Sequence, residues 1–468
     1  MDEIAFRHWL GQAGSLTPAQ RRRARAALAP PAAAPRGGPL RVLYVCHSFP
    51  PFEMTGSPLL AEQIARNAVK NGVTVAVAFA LPPGTTGTVP PHRDGITLIP
   101  IPAVPGHRLQ WSLAESAKPF DTLTTLPEVA AFRPDIIHII GWVSLPATLL
   151  ATARALGVPV VRHVCNFEDV CALVEPTHRN PDQTVCQPPI AAQDCAACLH
   201  RRGVSVMSPG SPTAPVTPEA ALAEQVARKW RMLARQHGTL YDHLVFISAS
   251  SRDYYARVVD IASIPNSVIE HAVVADDAPD NRTAPALRRP DDGPLRLVFL
   301  GPCTPQKGWD SLSEAVARLL DSRPGCLRLT VYGAPPDGAG GPLAGRAEVA
   351  WNGRYARADL PGILAAADVG VLPSRFETYS RVAREMLQAG LPVIGSRAFG
   401  IPDAIADGGN GLLLPEVSAD ALHAAIARLL DDRALVERLR HGAQATRLRT
   451  QGEEYAEIAA LYERLLTT

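Results

Sequence analysis

Short apolar runs that end in a glycine- or proline-bearing loop and feed straight into an amphipathic helix recur along this chain, and that repeat limits its fold more than any other feature. Residues 40–46, Leu-Arg-Val-Leu-Tyr-Val-Cys, are one such run. The turn-rich segment 47–56 follows, then a helix expected over 58–71 and a second run, Val-Thr-Val-Ala-Val-Ala-Phe, at 73–79. Residues 133–140 and 158–164 repeat the pattern around a helix expected at 145–156. Further on, 368–373 reads as a buried strand, 374–379 as a polar loop, 380 onward as a helix ending near Gly390, and 391–395 as the next strand, with 398–403 as its loop. A crossover helix returns the chain so that the next strand runs parallel to the last. The connecting loops then share one rim, where such sheets bind ligands. The expectation is an α/β architecture.

The chain has 468 residues, 47% of them hydrophobic and 19% charged, the composition of a globular protein with core enough for two or three domains. A formal net charge of +1 gives no reason to expect a nucleic-acid partner. No apolar stretch approaches bilayer-spanning length, and Met1-Asp-Glu-Ile lacks the basic-then-apolar order of a signal peptide, so a cytoplasmic location is expected. Residues 1–39 read as a small helical extension, capped at Thr17-Pro18, and a proline-rich linker. Within that extension Arg21, Arg22, Arg23 and Arg25 form either a solvated helix face or a peripheral contact with anionic lipid at the inner face of a membrane.

Chemistry concentrates in the second half. Glu377 falls in the polar loop and Glu385 about one turn into the helix that follows. Unpaired N–H groups and the positive end of the helix dipole at Tyr379, Ser380 and Arg381 suit an anion such as a pyrophosphate, Glu385 suits ribose hydroxyls, and Glu377 suits a sugar. Upstream, Gly301-Pro-Cys-Thr-Pro-Gln-Lys-Gly308 is another strand-to-helix glycine turn, and it carries Lys307 as a cation for phosphate.

These motifs, with Gly390-Leu-Pro392 and Gly400-Ile-Pro402, resemble the retaining glycosyltransferases of family 4. The resemblance runs from about Leu40 to the C-terminus. It implies the GT-B fold: two Rossmann-like doubly wound parallel-sheet domains facing a cleft, here 40–275 for the acceptor and 295–450 for the donor, joined by a linker at 276–294. The last helix, 451–468, would cross back onto the first domain. It also implies that Glu377 contacts the donor sugar, Glu385 the ribose and Lys307 the pyrophosphate, with Gly301 and Gly308 shaping the turn and Trp351, Gly353 and Tyr355 walling the base. Trp351 reads equally as core. Gly56 looks like the acceptor-side glycine, although a glycine needed only for its turn fits as well.

Some positions depart from the family. The glycine usual two residues after Phe or Tyr is absent from Thr378-Tyr379-Ser380, Asp403 replaces glutamate, and Ser57 replaces the second acceptor-side glycine. Pro302 stands where an arginine is common, so Arg375 or Arg381 is expected to supply the second positive charge. Cys165 and Asn166 stand where His-Asp is usual, with His163 two residues earlier as a candidate substitute; His138, inside an apolar strand, reads as core.

Five of the eight cysteines lie between Cys165 and Cys198. Cys171, Cys186, Cys195 and Cys198 sit in a loop, 165–218, rich in proline, aspartate and alanine, which a four-thiolate metal site would hold together. Zinc is the first choice and an iron–sulfur cluster the second; reduced buried thiols or a disulfide are the plainer readings. A subset of the family has a similarly spaced loop. No Asp-x-Asp-like pair marks the donor site, so no catalytic metal is expected.

The expected reaction is transfer of a sugar, with retention, from a nucleoside-diphosphate sugar to a glycan, lipid-linked or protein acceptor, in surface polysaccharide or lipopolysaccharide assembly. Two rivals are an epimerase or phosphorylase on the same fold and a degenerate, metal-binding interaction subunit.

Overall fold

The computed structural model describes residues 38–467 apart from 54–55, 82–83, 86–87, 105–125, 172, 174–175, 178–182, 184, 189, 202–217, 263, 277–292 and 334–340. The expected N-terminal extension with its arginine run, and most of the interdomain linker, lie outside the described residues.

In the first domain the elements run β1 (Arg41–Cys46), α1 (Gly56–Lys70), β2 (Thr74–Leu81), β3 (His92–Arg93), β4 (Ile96–Pro102), α2 (Pro127–Phe132), β5 (Ile136–Ile139), α3 (Ala147–Leu156), β6 (Val160–Val164), α4 (Ala192–Arg201), α5 (Pro218–Thr239), β7 (His243–Phe246), α6 (Ala249–Val258) and β8 (Asn266–Val268). The strand order is β3-β4-β2-β1-β5-β6-β7-β8, parallel except for the β3–β4 edge pair. Register follows the sequence pattern, with Arg41 opposite Thr74 and Val42 opposite Ile136. Because side chains alternate along a strand, Leu43 and Val45 enter the core on one face and Val42, Tyr44 and Cys46 the core on the other. Both faces are buried, as a parallel sheet requires.

The second domain contains β9 (Leu295–Leu300), α7 (Trp309–Ser322), β10 (Leu327–Tyr332), β11 (Val349–Asn352), α8 (Leu360–Ala365), β12 (Val369–Leu372), α9 (Arg381–Gln388), β13 (Val393–Gly395), β14 (Gly411–Leu413), α10 (Ala419–Asp431) and α11 (Arg433–Ala445). Its sheet has the order β11-β10-β9-β12-β13-β14. The strand order reverses beside β9, so the ends of β9 and β12 open a crevice between the loops that follow them. Finally α12 (Gln451–Thr467) returns to the first domain, where Ile458, Leu461 and Tyr462 pack with Leu60 and Ile64 of α1 and Tyr44 of β1. Each such aliphatic side chain contributes on the order of 1.5–3 kcal/mol when buried. No helix among the described residues is long and apolar enough to cross a membrane.

One segment differs from its sequence reading. The cysteine-bearing loop contains a helix, α4, whose Ala196 and Leu199 pack against Leu222 and Val226 of α5 in a small separate core. Three-residue spacing puts Ala196 and Leu199 on one face, so this segment supplies apolar surface of its own.

Candidate active site

Two loops of the second domain meet backbone to backbone. After β9 the chain turns through Gly301, at φ 142°, and the short 3-10 turn Pro305–Lys307 into Gly308, at φ 70°. A Cβ on Gly308 would lie 2.0 Å from the carbonyl oxygen of Pro373, so no other residue fits there without moving the next loop. Arg375 N donates to Gln306 O at 2.8 Å and fastens the two loops. The result holds Lys307 Nζ 2.5 Å from Glu377 Oε1, which also accepts from Ser374 Oγ at 3.1 Å. Both partners are partly exposed, at 28% and 18%.

Helix α9 begins one residue after Ser380, which takes the left-handed conformation at φ 59°. Glu385, buried one turn in, accepts at Oε1 from Arg381 Nε at 2.8 Å and from Arg357 Nη1 at 2.9 Å. Burial raises the pKa of the Tyr355 phenol, and the Glu385 carboxylate adds to the shift. Tyr355 also meets Tyr332 edge-on at 5.6 Å. Trp351 instead packs with the domain core, its ring 5.4 Å from Trp309, and Gly353 faces open space.

Neither arginine expected to reach the phosphates is uncommitted. Arg375 makes two bonds to Asp310, at 2.7 and 2.9 Å, and a third to Ser311 Oγ at 3.2 Å. Arg381 is shared between Glu385 and, at 2.9 Å, Nε2 of His271 in the first domain. Tyr379 likewise points across the domain boundary: its hydroxyl donates to the carbonyl of His271, and the Arg384 guanidinium lies 3.7 Å over its ring.

The first domain closes against this rim. Ser248 Oγ and Ser251 Oγ donate to the Thr378 carbonyl at 2.7 and 2.9 Å, and Phe167 sits 5.8 Å from Phe376, the residue before Glu377. The segment carrying Phe167 is braced from below. Arg162, wholly buried, bonds Glu168 at 2.7 Å, Asp169 at 3.1 Å and the carbonyls of Ile140 and His163. Asn166 Oδ1 accepts from Glu168 N at 3.0 Å, which turns the chain there. His163 is not on this rim. It stacks 5.4 Å from His138, whose Nδ1 lies 2.6 Å from the Tyr462 hydroxyl of α12, and burial holds both imidazoles well below their usual range. Gly56 opens α1, and a Cβ there would meet nothing within 4 Å.

The four loop cysteines line one apolar cavity of about 40 Å³ together with Lys229 and Trp230. Among the described residues, however, no three His, Cys, Asp or Glu side chains are arranged to hold a metal ion, and all eight cysteines are thiols. The described residues therefore give the zinc and iron–sulfur expectations no support. The premise behind them was a loop without apolar surface, and the packing of α4 on α5 removes it.

The sequence reading missed the Arg162, Glu168, Asp169 cluster and the contact of His271 with Arg381. A basic residue inside the apolar run 160–164 was a visible signal for the first; His271 and Arg381 are 110 positions apart, and no local pattern marks them.

Comparison with known proteins agrees with the geometry. Residues 294–432 match the family model for glycosyl transferases group 1, and residues 55–270 that for the glycosyl transferase 4-like domain. Glycogen synthase of Mycobacterium tuberculosis is 25% identical over 425 residues, covering 86% of this chain and 89% of that protein. The D-inositol 3-phosphate glycosyltransferase of Stackebrandtia nassauensis is 29% identical over 434 residues, 87% of each chain. Among solved structures, Anabaena HepE in complex with UDP-glucose superposes with a TM-score of 0.55 at 15% identity, over 91% of this chain and 100% of that one. With glycosyltransferase models matching both halves and the fold shared, the chain belongs to the family 4 glycosyltransferases of the GT-B fold.

Proposed function

We propose that this glycosyltransferase takes its sugar from a nucleoside-diphosphate sugar and passes it, with retention at the anomeric carbon, to a hydroxyl of a glycan or lipid-linked acceptor. The observation that carries the reading is the Lys307–Glu377 pair at the meeting point of the two loops, followed in the chain by the helix that holds buried Glu385 one turn in. A partly exposed ion pair is worth only about 0–1 kcal/mol. An arriving diphosphate, with two negative phosphates, therefore displaces Glu377 from Lys307 at little cost. Glu377 is then released toward the sugar, and Lys307 and the amides at the start of α9 stabilise the leaving diphosphate as its bond to the anomeric carbon breaks. Arg357 and Arg381 engage only Oε1 of Glu385, so the second oxygen is the one for the ribose hydroxyls. The likeness to HepE, solved with UDP-glucose, and to a glycogen synthase supports this donor and acceptor chemistry.

Titration calorimetry with UDP, GDP and ADP tests the donor half of the proposal, and product analysis with the corresponding nucleotide sugars tests the transfer. Binding of one nucleotide, followed by acceptor-dependent sugar transfer, is the expected result. A chain that binds none of the three would end this reading.

A further inference from the structure

The chain crosses between its domains twice, and the two crossings touch. Val274 and Thr450 form a parallel bridge, Gln451 N donates to Val274 O at 2.9 Å, and Gly452 N donates to Asp276 Oδ1 at 2.6 Å. Buried beside this junction, His271 of the first crossing meets Glu454 at the start of α12, with Nδ1 3.3 Å from both carboxylate oxygens. Glu454 also accepts from Gln63 Nε2 of α1 at 2.7 Å and from Ala272 N at 3.0 Å. On the other side of the ring, Nε2 lies 2.9 Å from Arg381 Nη1, whose Nε bonds Glu385. A guanidinium only donates, so Nε2 accepts and the ring proton sits on Nδ1, facing Glu454.

We propose that His271 is a positioning residue for the donor: as a neutral imidazole from the first domain it holds Arg381, and through Arg381 it holds Glu385 where the nucleotide ribose binds. The assignment rests on the donor reading above. It makes nucleotide affinity depend on the junction between the domains, although His271 itself touches no substrate. The groups facing the ring are Glu454 and Gln63 on one edge, Arg381 on the other and the Tyr379 ring at 5.6 Å.

The test is titration calorimetry of UDP, GDP and ADP, at one neutral pH, against the full chain and the variants His271→Leu and His271→Gln. Leucine removes one hydrogen bond to a charged group, so affinity should fall about tenfold near neutral pH. Glutamine can accept from Arg381 and donate to Glu454, so it should stay within about threefold of wild type. If the leucine variant does not fold, the glutamine variant decides alone: affinity within about threefold supports the assignment and a loss of about tenfold or more overturns it. A folded leucine variant with wild-type affinity, or a glutamine variant as weak as a folded leucine variant, likewise overturns the assignment. If wild type binds none of the nucleotides, the donor reading fails first and takes this one with it.

Discussion

Replacing Lys307 with methionine keeps most of the side chain's length and removes its charge. In the folded protein this costs the 2.5 Å pair with Glu377, whose members are 28% and 18% exposed. Such a pair is worth about 1 kcal/mol or less, so the melting temperature of a chain this size should fall by no more than about 2–4 °C. The effect on the donor is of a different order. A charge-assisted bond from lysine to phosphate contributes about 1.5–3 kcal/mol, which corresponds to a loss in nucleoside-diphosphate affinity of about ten- to a hundredfold. Calorimetry alongside a thermal melt separates the two quantities. The partner substitution gives the opposite sign: Glu377→Gln removes the carboxylate that competes for Lys307, so nucleotide affinity should hold or improve while sugar transfer collapses. Equal loss of nucleotide affinity in both variants would refute the reasoning, because the pair would then be a brace for the loop and not a site of exchange.

Gly308→Ala should destabilise the second domain by about 2–4 kcal/mol in urea unfolding, since the new Cβ combines a left-handed backbone with a 2.0 Å approach to Pro373 O. Arg162→Met should cost about 3–5 kcal/mol, because it leaves Glu168 and Asp169 buried without their cation, and the same melts should show the first domain loosening. Stability should also fall on mild acidification. Burial pushes His138 down to about 3 and, with Arg464 contributing, His243 down to about 4, so below the ordinary histidine value of about 6.5 the unfolded chain binds protons that the folded one does not. The slope should approach about 1.4 kcal/mol per pH unit for each such histidine between about pH 6.5 and pH 5, and His138→Gln should flatten it in urea titrations at the two pH values.

Much of this protein could be read from its residues in order. Apolar runs and the 3.6-residue spacing located the main sheets and helices of both domains, because strand and helix formation are local and leave a periodic trace. Helix α4 escaped that reading: its apolar face is short, and its partner α5 begins only at Pro218. The glycine turn at 301–308 and the loop and helix that carry Glu377 and Glu385 were equally legible, since each is a strand-to-helix junction marked by its own residues. The sequence by itself determined which side chains stand at the ends of β9 and β12. Only the tertiary structure decided what they touch. Arg375 turned out to be tied to Asp310, Arg381 was drawn to His271 across the domain boundary, and His163 faced His138 instead of the cleft. Cys171, Cys186, Cys195 and Cys198 came to line one cavity. The physical reason is that such pairings depend on how sheets, helices and domains stack, and a contact between residues 110 or 183 positions apart leaves no periodic trace in either segment.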